Sequence, residues 1–131
     1  MDPTAYYRGN VTYIERADVR HDAIVDLVRR LRPRSVLDVG CGTGWLTSRI
    51  ARTTGAPTYG LDVLAGVPSK GWTYLTGDVL RGLPIADASV ECVVAGEIIE
   101  HVPDPDLLVR EAHRVLSPGG SLVLSTPNLV S

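Results

Sequence analysis

The chain is 131 residues long, enough for one domain around a single core. Hydrophobic residues make up 44% and charged residues 21%, the balance of a globular protein and not of a disordered one. A formal net charge of -2 excludes a broad electrostatic attraction to nucleic acid.

Twelve arginines accompany a single lysine, but they are scattered and read as a coding bias. The densest group, Arg29, Arg30, Arg32 and Arg34, suits the solvated carboxyl end of a helix, where cations complement the helix dipole. Two cysteines, Cys41 in a glycine-rich stretch and Cys92 in an apolar run, do not form a disulfide framework. No signal peptide opens the chain, and no apolar run approaches the ~20 residues of a membrane span. A cytoplasmic location is therefore the expectation.

Residues 1–17 are polar, carry Tyr6, Tyr7 and Tyr13, and read as an arm preceding a domain over 18–131. Val19, Ala23, Ile24, Leu27, Val28 and Leu31 then recur at helical spacing, with Asp18 placed to cap the helix and Pro33 to end it. Residues 35–39 form a short apolar strand that runs into Gly40-Cys41-Gly42-Thr43-Gly44. A second helix fits 45–53, with Leu46 and Ile50 facing inward and Gly55 as its stop.

Residues 58–61 read as a second strand ending at Asp62, and 72–76 as a third ending near Asp78. The nine residues between Asp62 and Trp72 are too few for a full crossover helix and predict a turn or a single helical coil. Residues 90–95 are continuously apolar, as in a buried parallel strand. Asp104-Pro105 starts a helix that buries Leu108, Ala112, Val115 and Leu116, Pro118-Gly119-Gly120 breaks it, and 121–125 form a fifth strand. Strands alternating with helices predict an α/β fold with a parallel sheet covered on both faces.

Ligands of such a sheet bind at the carboxyl ends of the strands, where strand order reverses. Here those ends carry the glycine loop, Asp62, Asp78 and Gly96-Glu97. The glycines permit a tight strand-to-helix turn and close approach of a ligand. A carboxylate after the second strand can accept hydrogen bonds from adjacent ribose hydroxyls, and one after the third from an adenine amino group. A nicotinamide site requires G-x-G-x-x-G, but Trp45 stands where the last glycine belongs and Gly44 comes one residue early.

The stretch from Val36 to Gly44 resembles the first motif of class I S-adenosylmethionine-dependent methyltransferases. Gly77-Asp78-Val79, Leu83-Pro84-Ile85-Ala86-Asp87, Glu97-Ile98-Ile99-Glu100-His101-Val102 and Arg114-Val115-Leu116-Ser117-Pro118-Gly119-Gly120 match as well, in the pattern of the ubiquinone-biosynthesis-type O-methyltransferases. The resemblance covers about residues 20–128. It implies a Rossmann-like parallel sheet in the order 3-2-1-4-5, with the family's strands 6 and 7 absent from this chain.

By position, the resemblance implies that Asp38 orients the methionine amino group of S-adenosylmethionine. Gly40, Cys41, Gly42 and Gly44 would line the methionine and ribose, and Asp62, followed by Val63, would bind the ribose hydroxyls. Asp78 and Val79 would face the adenine, and Gly96 and Glu97 would border the methionine end. The expected activity is methyl transfer to a small-molecule acceptor. Two alternatives stay open: a non-catalytic cofactor-binding or assembly module, and a metal-dependent RNA 2′-O-methyltransferase.

The last alternative comes from Glu97, Glu100 and His101, which share one face if this stretch turns helically. Two carboxylates and an imidazole could hold a divalent ion such as Mg²⁺, although Pro103 stops the helix almost at once. The same residues also cap the turn and border the cofactor in relatives without metal. His101 is alternatively a general base for an acceptor hydroxyl, while His113 reads as exposed and His21, in the first helix, as either solvated or reaching the cleft. With strands 6 and 7 absent, 121–125 would be an uncovered apolar edge that invites self-association or a partner chain. A shortened piece, a natural short form and a degenerate binding domain each account for that edge.

Overall fold

A computed structural model describes residues 11–64, 66–96, 98 and 102–125, with side chains from residue 20 onward. Its elements in chain order are α1 (Val11–Leu31), β1 (Val36–Val39), α2 (Trp45–Thr54), β2 (Thr58–Asp62), β3 (Thr73–Thr76), β4 (Val90–Gly96), α3 (Pro105–Val115) and β5 (Leu116–Ser125). A single 3-10 turn, Val79–Arg81, follows β3. The five strands form one parallel sheet in the order β3-β2-β1-β4-β5, as the resemblance implies. No described helix is long and apolar enough to cross a membrane.

The alternation of side chains along a strand sorts the core into two layers. Leu37 and Val39 of β1 join Leu61, Val93 and Ala95 against Leu108, Ala112 and Val115 of α3. Val36, on the other face, joins Cys92, Val94 and Val123 against Ile24, Val25 and Val28 of α1 and Leu46 and Ile50 of α2. Every residue of β1 is buried, because neighbouring strands flank it on both sides and helices cover both faces. The same alternation turns Asp38, two residues after Val36, toward the α1–α2 layer.

Local chemistry sets the helix ends. Asp104 caps α3 by accepting a 3.2 Å hydrogen bond from the Leu107 N–H, and Pro105 supplies the first helical residue. Gly55 ends α2 in the left-handed region with φ of 68°, its N–H donating to the Ala51 carbonyl.

The structure corrects two expectations about boundaries. Helix α1 begins at Val11, seven residues before Asp18, so Asp18 lies inside the helix. No glycine or proline separates 11–17 from the later turns, and Glu15, Arg16 and Ala17 are good helix formers. Strand β5 begins at Leu116, directly after α3, and Pro118-Gly119-Gly120 lies within it instead of ending the helix. Val90 faces Leu116 while Cys92 faces Ser121, so two steps along β4 match five along β5. That bulge absorbs the proline and glycines at the sheet edge, where a missing N–H is tolerated. Among the described residues between β2 and β3 there is no helix, in keeping with the expected turn.

Candidate functional site

The carboxyl ends of β1, β2 and β3 and the segment before α3 surround a cleft of about 220 Å³. Gly40, Asp62, Val63, Asp78 and Val79 all line it, so five residues singled out in the sequence meet at one place. Leu61, Ile98 and Val102 supply apolar wall. A second depression, of about 190 Å³, lies at the opposite end of the sheet between Pro33, Glu91 and the β5 bulge, away from these strand ends.

The glycine loop is latched to β2. The Gly40 and Cys41 N–H groups both donate to the Leu61 carbonyl, at 2.8 and 3.0 Å. Gly40, Gly42 and Gly44 have φ of 75°, 57° and 92°, a region that disfavours side chains. A Cβ on Gly40 would come within 2.4 Å of Ile98 Cδ1, whereas one on Gly42 would meet nothing within 4 Å. The loop thus stays open over Gly42, and next to the cleft at Gly40 only hydrogen fits.

Asp62 ties the loop to the site. Its Oδ2 accepts a 2.7 Å bond from the Gly42 N–H, and its Oδ1 accepts one of 2.7 Å from the Val63 N–H. Each carboxylate oxygen keeps further lone-pair capacity for an incoming hydroxyl. Asp78 caps the 3-10 turn, its Oδ1 accepting from the Leu80 N–H at 3.0 Å. That bond fixes the carboxylate at the wall of the cleft and leaves its second oxygen for another donor.

Asp38 is buried on the other face, where the Thr47 hydroxyl donates a 2.7 Å bond to its Oδ2. Burial pushes its carboxyl up to about 7; the Thr47 bond opposes the shift and the negative charge of Asp62 adds to it. Burial, then the charges of Asp38 and Asp62, push the Cys41 thiol up to about 12. Cys41 is therefore a neutral thiol, and its sulfur lies beneath Gly60, where a Cβ would approach it to 2.9 Å. What Cys41 offers a ligand is backbone. Gly96 ends β4 with its Cα facing Ile24 and Leu46 in the α1–α2 layer.

Two site-shaping residues were not singled out from the sequence. Thr47 is one. Trp72 is the other: its indole occupies the space a side chain on Gly44 or Gly60 would need, with a Cβ there approaching ring carbons to 2.1 and 2.7 Å. Tyr74 meets Trp72 edge to face at 6.1 Å between ring centres and donates its hydroxyl to the Leu64 carbonyl. The local signal was a glycine in mid-strand, Gly60, which marks close approach of another group. Glu97, Glu100 and His101 lie outside the described residues, and no group of three metal-ligating side chains forms among the described ones.

The family model described as a methyltransferase domain matches residues 37–124. A probable S-adenosylmethionine-dependent methyltransferase of Mycolicibacterium smegmatis is 37% identical over 120 residues, covering 86% of this chain and 46% of that protein. A ubiquinone biosynthesis O-methyltransferase of Paracidovorax citrulli is 34% identical over 117 residues, covering 79% of this chain and 48% of that protein. The chain thus spans about half the length of these relatives. Among solved structures, the [4+2]-cyclase SpnF superposes with a TM-score of 0.67 at 30% identity, over 79% of this chain and 43% of that one.

Proposed function

The chain belongs to the methyltransferase domain family, and on that premise we propose that it is the cofactor-holding part of an S-adenosylmethionine-dependent enzyme that methylates a small-molecule oxygen. The observation that carries the reading is Asp62, bonded to the glycine loop through Gly42 and facing the same cleft as Asp78. A cleft lined by the carboxylates of Asp62 and Asp78 and by apolar Leu61, Ile98 and Val102, next to a glycine loop with open space at Gly42, suits a nucleoside with a charged tail.

In this reading Asp62 accepts the ribose hydroxyls, and Asp78 with the Val79 backbone faces the adenine between Leu61 and Ile98. Asp38, held by Thr47, orients the tail amino group, and Gly96 and Glu97 are the candidates to border it. When bound, the cofactor supplies a methyl group activated by its sulfonium, so the protein chiefly aligns the acceptor and excludes water. The name of the Paracidovorax relative supports an oxygen acceptor. His101 is the candidate base for its proton, and a divalent ion on Glu97, Glu100 and His101 would serve the same end by lowering the acceptor's pKa.

The β5 edge is the second element of the reading. Among the described residues it has a neighbouring strand on one side only, and Leu124 is 42% exposed there. An apolar edge of this kind can pair with another strand, whether from the remainder of a longer protein, a second copy or a partner.

The test is calorimetric titration with S-adenosylhomocysteine, which needs no acceptor. Saturable binding that NAD does not compete supports the proposal, and no binding overturns it. Turnover separates an enzyme from a binding module: production of S-adenosylhomocysteine with a panel of phenols and acids, with and without Mg²⁺, supports catalysis. Tight binding with no turnover by the full-length protein favours the module.

A further inference from the structure

The cleft wall formed by Gly77, Asp78 and Val79 belongs to a segment that is tied down at both ends. Between Gly77 and Leu83 the chain leaves the sheet and makes the 3-10 turn. At its first end, the Gly77 N–H donates to the Asp62 carbonyl at 2.9 Å. At its far end, two residues of α3 take over. Glu111 Oε1 accepts from the Leu83 N–H at 2.6 Å. Arg114 donates from Nη2 to the Leu83 carbonyl and from Nη1 to the Ile85 carbonyl, both at 2.9 Å. The two side chains are joined to each other by a 2.8 Å bond from Arg114 Nε to Glu111 Oε2.

From this arrangement we propose that Glu111 and Arg114 are positioning residues for the nucleoside end of the cleft, acting through the turn that carries Asp78 and Val79. The inference rests on the cofactor reading above.

The geometry gives it three supports. Gly82 closes the turn with its N–H on the Val79 carbonyl at 3.1 Å, and a Cβ there would lie 3.1 Å from Glu111 Oε1. The brace therefore begins one residue from the turn. The arginine donates to main-chain carbonyls, which have no side chain to adjust, so it constrains the backbone path. Helix α3 also begins just after Val102 and Pro103, which line the same cleft, so one rigid element governs two of its walls.

Packing is the rival explanation, because Val79 and Leu83 are buried against α3 and would anchor the segment unaided. The salt bridge from Arg114 to Asp87 adds little, since Asp87 is 78% exposed. The proposal depends on the carbonyl contacts and on Glu111.

The experiment is a double-mutant cycle on the full chain, read by S-adenosylhomocysteine affinity and by thermal melting without ligand. Arg114→Gln is expected to raise the dissociation constant about tenfold, the scale of losing hydrogen bonds to a charged group. In an Asp78→Ala background the same change is expected to raise the dissociation constant clearly less than it does in the wild-type background, while its loss of melting temperature persists, because part of the affinity effect, and none of the melting effect, passes through Asp78. Glu111→Gln keeps an acceptor for Leu83, folds under milder strain, and carries the same comparison if Arg114→Gln does not fold. Asp87→Asn is expected to leave affinity unchanged. Equal affinity penalties in the two backgrounds, or a folded brace variant that binds as tightly as wild type while Asp78→Ala binds weakly, overturn the inference alone. A wild-type chain that binds no S-adenosylhomocysteine overturns the cofactor reading and the inference with it.

Discussion

The Thr47 hydroxyl donates to Asp38 Oδ2 at 2.7 Å, and both side chains are buried, one on the first turn of α2 and the other in β1. The glycine loop lies between them in sequence, so this bond closes the strand-to-helix turn from inside. Thr47→Val keeps the shape and removes the donor, which leaves a buried carboxyl short of a partner. A loss of about 1–3 kcal/mol in folding stability is expected, with Thr47→Ser restoring most of it. Urea denaturation of the three proteins checks this, and equal midpoints for Val and wild type would refute it.

The pH dependence of stability follows from Asp38. Its folded pKa of about 7 stands above the ordinary 3.8, so between those values the folded chain keeps a proton that the unfolded chain has released. Its stabilising contribution is full below the unfolded value and is lost as pH rises through about 7. Asp38→Asn cannot titrate and is expected to show a flatter decline in melting temperature across this window. Parallel pH profiles for the two proteins would show that Asp38 does not carry the slope.

Asp62→Ala removes the acceptor that Gly42 and Val63 share. If the same carboxylate receives the ribose hydroxyls, affinity for S-adenosylhomocysteine falls by about 1–3 kcal/mol. Calorimetry at wild-type affinity for this variant would remove Asp62 from the site.

Gly44→Ala combines two costs: a φ of 92° and a methyl group 2.1 Å from the Trp72 ring. Destabilisation above about 2 kcal/mol is expected. Adding Trp72→Ala relieves the clash but not the backbone strain, so the double variant should be less perturbed by Gly44→Ala than the wild-type background is. Thermal melts of the four proteins of this cycle decide it, and a Gly44→Ala penalty unchanged by removing the indole would refute the contact.

Cys41 and Cys92, with thiols pushed up to about 12 and 11 by burial, react as thiolates only after opening. Labelling by a disulfide reagent at neutral pH is expected to be slow in the native chain and fast in urea. Rapid native labelling of either residue would contradict its burial.

Strand β1, the glycine loop, the stop at Gly55 and the Asp104-Pro105 start were legible in the sequence because each is written in a handful of adjacent residues. The acids at the ends of β2 and β3 were legible too, since a parallel sheet sends all carboxyl ends to one side. The start of α1 was misplaced because a capping residue marks a beginning only where the preceding chain cannot itself be helical. The start of β5 was misplaced because an edge strand tolerates proline and glycine that a central strand would not.

Chain order and local stereochemistry were thus enough to specify the α/β architecture and the side of the sheet on which a ligand sits. Tertiary structure alone decided that Trp72 fills the space beside Gly44, that Thr47 holds Asp38, and that Arg114 grips the carbonyls of Leu83 and Ile85. Those partners sit on different elements, so their meeting depends on strand register and on which face each side chain takes. Neither follows from short-range pattern, because a one-residue shift in pairing sends a side chain to the opposite layer.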